Sequence, residues 1–210
     1  MPNLQVQVCT PVDILVEGTL DLSISKRLLR HTGLIPGRVF GQTGKTDVVS
    51  RLPRYNAAAR YSPWFALCDL NGDAECAPLY KTQVLPNPSP WMVFRIAVRE
   101  VEAWLLADRK NFSAFLGVRM ADLPMRAERV HNPKETVVRI ARRSRYRRIR
   151  EEIIPRAGSG ATVGPGYTGT LAEFVGHPEQ VRWDPAEAAS RAPSLSSCLS
   201  ALERLSGSVG

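Results

Sequence analysis

Four short apolar runs constrain this chain more than any other feature, because each is too short for a buried helix and too apolar for a surface one. They are "DILVE" (13–17), "GRVFG" (37–41), "WFALCDL" (64–70) and "WMVFRIAV" (91–98). Each reads as a strand, and the last is nearly continuous, as in a strand buried on both faces. Helical spacing fills the intervals. Leu20, Ile24, Leu28 and Leu29 recur on one face within residues 20–31, and Gly33 supplies the stop. Residues 46–60 read as a helix interrupted at Pro53, and 71–90, which contains "PNPSP", as a linker. "EVEAWLLADRKNFSAFLG", 100–117, reads as one helix closed by Gly117, with Trp104 in its buried stripe. Strands alternating with helices imply a mostly parallel sheet with right-handed crossovers, an α/β fold.

The second half changes character. "NPKETVVRIARRSRYRRIREEII", 132–154, reads as a helix with Asn132 as cap and Pro133 at its first position. Seven arginines fall within 139–150, and helical spacing would align Arg139, Arg143, Arg147 and Arg150 in a basic ridge suited to a phosphate backbone. "GPGYTG" (164–169) satisfies GxGxxG literally, but no strand precedes it and Pro165 interrupts it, so it reads as a mobile surface loop. In "PSLSSCLSALERL", Leu195, Cys198, Leu199, Leu202 and Leu205 share one face, so this helix docks on a core. The expected division is a core over 1–117 and a helical, Arg-rich extension over 118–210 packing on it.

Net charge is +8 with a pI near 9.7, which favours a polyanionic partner, nucleic acid above all. No apolar run approaches about 18 residues, and the N-terminus lacks a basic region followed by an apolar one, so neither membrane span nor signal peptide is expected. Cys9, Cys68, Cys76 and Cys198 show no CxxC spacing and read as reduced thiols of a cytoplasmic protein. His31, His131 and His177 share no spacing, and none is chosen as a base.

In a parallel sheet, ligands bind beyond the carboxyl ends of the strands. Glu17 ends the first run, and Asp21 lies a turn into the next helix. Asp69 ends the third, with Asn71 and Asp73 just after it. Glu100 and Glu102 follow the fourth. Carboxylates distant in sequence therefore share one edge, where they repel unless a cation, a proton or a basic partner intervenes. Oxygen donors suit Mg²⁺ or Mn²⁺. On a helix Glu100 and Glu102 diverge, so only one of them faces such an ion.

"VFGQTGKT" (39–46) falls at the same edge and resembles the ending of a phosphate-binding loop. The first glycine of that pattern is replaced by Val39, whose β-branched side chain opposes the required turn. Lys45 is instead a candidate for reaching a nucleic-acid phosphate. Asp69, after "WFALC", keeps a P-loop nucleotide-binding protein as an alternative.

"ILVEGTLD" resembles the first motif of the Toprim fold, and "FALCDLNGD" is similar to its second, an apolar strand followed by Asp-x-Asp. "REVEAWLLAD", "NPKETV" and "WDPAEAASRAPSLSSCLSALERL" resemble segments of an uncharacterised prokaryotic Toprim-like family, distantly similar to the OLD-family nuclease Toprim domain. The resemblance implies a Toprim-like (Rossmann-like), mostly parallel four-stranded sheet flanked by helices, with a helical C-terminal extension. It implies Mg²⁺-dependent phosphodiester hydrolysis of nucleic acid, DNA ahead of RNA. It also implies a partner ATPase of the ABC/SMC type and a role in defence against foreign DNA. Carried over by position, Glu17 is the motif glutamate, Asp69 the first metal-binding aspartate, and Glu102 the acid favoured over Glu100; Asp21 stands beside them. Asn71 replaces the second aspartate, with Asp73 a substitute if the loop curls back. That departure keeps a second expectation: a non-catalytic nucleic-acid-binding or scaffolding subunit with a degenerate metal site.

Overall fold

The computed structural model describes residues 10–176 and 182–209, so Cys9 and His177 lie outside the described residues. Strands β1 (Val12–Val16), β2 (Pro36–Gly41), β3 (Trp64–Asp69) and β4 (Met92–Ala97) form one all-parallel sheet in the order β2-β1-β3-β4. Each lies within about two residues of its sequence expectation. Side chains alternate between two apolar layers, as the pleat requires. Phe65 and Leu67 pack with helix α1 (Thr19–His31) on one face. Trp64, Ala66 and Cys68 pack with α2 (Lys45–Ala58) on the other. The fold is α/β and Rossmann-like, with a helix, α10 (Pro193–Val209), closing the chain.

Four local expectations need correction. Helix α2 continues through Pro53, which is exposed; Val48 and Leu52, both fully buried, hold the helix across the missing amide. The expected linker contains α3 (Ala77–Val84), which buries no residue fully and therefore carries little periodic signal. Residues 100–117 form two helices, α4 (Glu102–Ala107) and α5 (Arg109–Leu116), joined at Asp108. Asp108 is buried; its carboxylate accepts the Asn111 N–H at 3.3 Å, capping α5, and the Asp184 N–H at 2.8 Å. Residues 132–154 likewise divide into α6 (Pro133–Ala141) and α7 (Arg147–Ile153). Here Ser144 is buried, donates its hydroxyl to Leu116 O at 2.5 Å and accepts the Tyr146 N–H at 2.9 Å. A small polar residue able to hydrogen-bond backbone groups breaks each helix.

The second half packs on the sheet's α1 face and shares its apolar core. Helix α8 (Tyr167–Gly176) packs along α1, and α9 (Pro185–Ala189) along α4 and α10. One apolar cluster runs from Val12 through Trp104 and Trp183 to Leu205. Both tryptophans are fully buried, and their indole N–H groups donate to Ser194 Oγ (2.8 Å, from Trp104) and to Trp104 O (3.2 Å, from Trp183). Trp104 is thus a core residue, and truncating it would cost about 3–5 kcal/mol. No helix among the described residues is long and apolar enough to cross a membrane.

Candidate functional site

The strand order creates a crevice. The chain leaves β1 for β2 on one side and returns to β3 on the other, so the connections diverge beyond the carboxyl ends of β1 and β3. Glu17 follows the last residue of β1 and Asp69 is the last of β3. The Asp69 N–H donates to Glu17 Oε1 at 2.9 Å, and the Val101 N–H donates to Asp69 Oδ1 at 2.9 Å. Asp21, in the first turn of α1, is buried, and its Oδ1 has no hydrogen-bond partner. Glu102 opens α4 and is 2% exposed. Its Oε1 accepts the Tyr167 hydroxyl at 3.1 Å, while its Oε2 is buried without a partner. Glu100 lies before the helix and accepts the Lys134 N–H at 2.8 Å. The expected divergence of Glu100 and Glu102 assumed a helix through both; α4 begins only at Glu102, and the two carboxylates instead converge on the Lys134 ammonium.

These acids are electrostatically crowded. Burial raises the pKa of Asp69 well above the carboxylate range, and Asp21, Glu102, Glu17 and Glu100 add repulsion. Asp21 is pushed up to about 7, first by burial and then by Glu17 and Glu102. Glu102 rises through burial, opposed by Lys134. Glu17 rises through burial too, opposed by the Asp69 amide and Lys45. Glu102 and Glu100 find relief in the Lys134 ammonium, 3.8 Å from Glu102 and 3.9 Å from Glu100. Burial works against its charge, but Glu102, Glu100, Asp69 and Asp21 hold its pKa above the ordinary lysine value.

This donor set fits a hard divalent cation. Every candidate ligand atom is oxygen, the elements bearing them are fixed by the sheet, and two buried oxygens lack partners. The described side chains do not close on a common point: no group of three or more His, Cys, Asp or Glu among the described residues stands in metal-holding geometry. Glu17 and Asp69 spend hydrogen bonds on the backbone instead.

Asn71 and Asp73 turn elsewhere. Asn71 sits exposed at φ 52° and uses its N–H on Arg99 O at 2.9 Å. Asp73 forms an ion pair with Lys45. Lys45, at the start of α2, also donates to the carbonyls of Asp69 and Leu70 and lies 4.6 Å from the Tyr80 ring. It clamps the 69–73 turn against α2. The loop before it offers few free amides: Gln42 N–H donates to Val16 O at 2.8 Å and Gly44 N–H to Glu17 O at 3.0 Å. At Gly41, φ 84°, a Cβ would lie 2.3 Å from Val16 O, so the tight turn serves strand packing. A phosphate cradle needs those amides unpaired.

The arginine ridge is a correction. Arg139 lies on α6, Arg143 in the intervening turn, and Arg147 and Arg150 on α7, so no single helix aligns them. Each has a local partner: Arg139 the Thr136 hydroxyl at 3.4 Å, Arg143 the Asp122 carboxylate at 2.6 Å, Arg147 the Glu151 carboxylate at 2.7 Å, and Arg150 the Ser144 carbonyl.

Two site residues escape sequence reasoning, Lys134 and Tyr167. Lys134 lies in "NPKETV", and Tyr167 in the glycine-rich segment expected to be a mobile loop. That segment is instead packed on α7: Gly164 N–H donates to Ile153 O and Gly166 N–H to Glu152 O, and a Cβ on Gly166 would meet the Glu152 side chain at 1.7 Å. The close approach delivers Tyr167, the first residue of α8, to Glu102. Only the literal glycine pattern signalled it. No family model, curated protein or solved structure matches this chain.

Proposed function

We propose that this protein hydrolyses phosphodiester bonds of nucleic acid with the help of Mg²⁺ or Mn²⁺ bound at the carboxyl edge of the sheet, as the resemblance to Toprim motifs implies. One observation carries the reading: carboxylates at the ends of β1 and β3 and in the first turns of α1 and α4 crowd this edge and repel one another, and two of their buried oxygens, Asp21 Oδ1 and Glu102 Oε2, have no partner. Glu17 and Asp69 would hold the cation, with Asp21 and Glu102 contributing. A divalent ion so bound supplies polarisation of the phosphate and an activated water. The chain's own groups do the rest. The Tyr167 hydroxyl and Val101 N–H orient Glu102 and Asp69. Without a cation, burial and Glu17 push the Asp21 carboxyl up to about 7, so cation binding beside it would release a proton. Lys134 presents its ammonium to charge developing on the phosphate.

Asn71 favours a second reading. A metal ligand is lost where the Toprim pattern has aspartate, and Asp73, tied to Lys45, does not replace it. On this reading the chain is a non-catalytic nucleic-acid-binding or scaffolding subunit. The ATPase partner and the defence role rest on the resemblance alone. Incubating the purified chain with plasmid, single-stranded DNA and RNA in Mg²⁺, Mn²⁺ or EDTA separates the readings. Hydrolysis predicts metal-dependent cleavage that Asp69→Asn removes. Equal cleavage by wild type and variant would refute it, and binding without cleavage would favour the subunit.

A further inference from the structure

We propose that the groove along the free edge of β4, between α3 and α10, holds the phosphates of a nucleic-acid strand and leads it toward the acidic edge. The inference rests on reading that edge as a phosphodiester site.

Strand β4 is outermost in the sheet, so one of its sides pairs with β3 and the other faces outward. Helices α3 and α10 flank it and leave two cavities in line. The larger, about 540 Å³, is bounded by Leu70, Lys81, Arg95, Ile96, Val98 and Ser194 among others. The smaller, about 180 Å³, continues past Met92 to Arg204. Lys81 and Arg95 line both. The upper end begins at Leu70, the residue after Asp69, and Val98, two before Glu100. Six residues of strand give about 20 Å of edge, room for several consecutive phosphates.

The three cations lack the balance seen around Arg147. Arg95 is half-buried and its Nε is buried without a hydrogen bond. Arg95 and Arg204 repel the Lys81 ammonium, and Arg204 repels Arg95; Cys198, a buried neutral thiol beside Arg95, supplies no counter-charge. Burial, then this mutual repulsion, lowers the pKa of Lys81, and burial with Arg204 lowers that of Arg95. The two glutamates on the larger cavity's wall do not neutralise them. Glu128 accepts the Ser194 N–H at 3.0 Å and the Ser194 hydroxyl, and Glu75 is exposed at the mouth. An anion placed between the three would relieve the repulsion and give the Arg95 guanidinium, whose Nη1 donates to Phe94 O at 3.5 Å, a charged acceptor. Apolar walls at Ala77, Pro78, Ile96 and Pro193 suit the sugars and bases of a strand, which a free phosphate would not use.

The test is binding of a labelled single-stranded 20-mer to the full chain in EDTA, followed by fluorescence anisotropy across a salt series. The double variant Lys81→Gln with Arg204→Gln should weaken binding roughly tenfold or more and flatten the salt dependence. Arg95→Gln should do the same, and because it removes a half-buried group its melting curve is recorded; if it fails to fold, the double variant decides. Arg143→Gln with Arg147→Gln is the control and should bind as wild type does. Undiminished binding by the double variant, no binding by wild type, or inorganic phosphate competing as well as unlabelled strand would each overturn the inference. EDTA separates this result from hydrolysis. Groove-dependent binding without cleavage in Mg²⁺ would retire the hydrolytic reading alone, and cleavage without groove dependence would retire the groove alone.

Discussion

The acidic edge and the arginine-rich segment hold most of this molecule's concentrated charge, and they are balanced in opposite ways. Between Arg139 and Arg150 the side chains are mostly exposed and find neutralising or polar neighbours, such as Asp122, Glu151 and, for Arg148, Glu173. Around Asp69 the carboxylates come from the ends of β1 and β3 and the first turns of α1 and α4 into a partly buried crevice, with Lys134 beside Glu100 and Glu102 and Lys45 acting on Glu17. Charge density in sequence is thus a poor guide to where charge is unsatisfied. An exposed, paired arginine contributes little, whereas a buried carboxylate without a partner carries a free-energy cost that a ligand can remove.

Breaking the acidic side should have the largest effect. Glu17→Gln or Asp69→Asn is expected to reduce metal-dependent cleavage by at least about a hundredfold, since even residues that only orient metal ligands are worth about 10–100-fold. Gel-based cleavage rates at saturating Mn²⁺ check this. Tyr167→Phe keeps the buried ring and removes one hydroxyl from Glu102, so metal affinity should fall by about tenfold with the fold intact. Calorimetric titration of that variant reads the loss.

A smaller effect of opposite sign follows from the repulsion itself. The Asp21 carboxyl binds its proton more tightly folded than unfolded, because its pKa rises from 3.8 to about 7. The folded state is therefore favoured at low pH and loses that advantage as pH climbs from 3.8 through about 7. In metal-free buffer at pH 8, Asp21→Asn should stabilise the protein on the order of 1–2 kcal/mol, a gain absent at pH 4. Urea denaturation at the two pH values measures it. The smallest change is expected on the basic side: Arg143→Gln with Arg147→Gln should alter stability by no more than about 0.5 kcal/mol per pair lost.

The sheet was legible because its strands are short apolar runs bounded by turn residues, and the placing of Glu17 and Asp69 at one edge follows from parallel topology alone. Helix breaks were not legible. Ser144 and Asp108 end helices through bonds to Leu116 and Asp184, partners remote in sequence, so periodicity ran straight through both. The basic ridge failed with the first of these. Lys134 and Tyr167 were invisible for a related reason. Their role depends on α6 and α8 packing beside α4 and α1, a tertiary event to which neither residue's local pattern points. The exposed helix α3 escaped because it has no buried stripe to announce it.

The central claim is that the acidic edge is a cation site whose repulsion a metal relieves. Calorimetric titration of the metal-free protein with Mn²⁺ at pH 8 and pH 5.5 tests it most directly. Binding should be evident at pH 8, at least about tenfold weaker at pH 5.5 where protons occupy Asp21 and its neighbours, and lost in Asp69→Asn. No heat of binding at pH 8, or binding that Asp69→Asn leaves unchanged, would contradict the account.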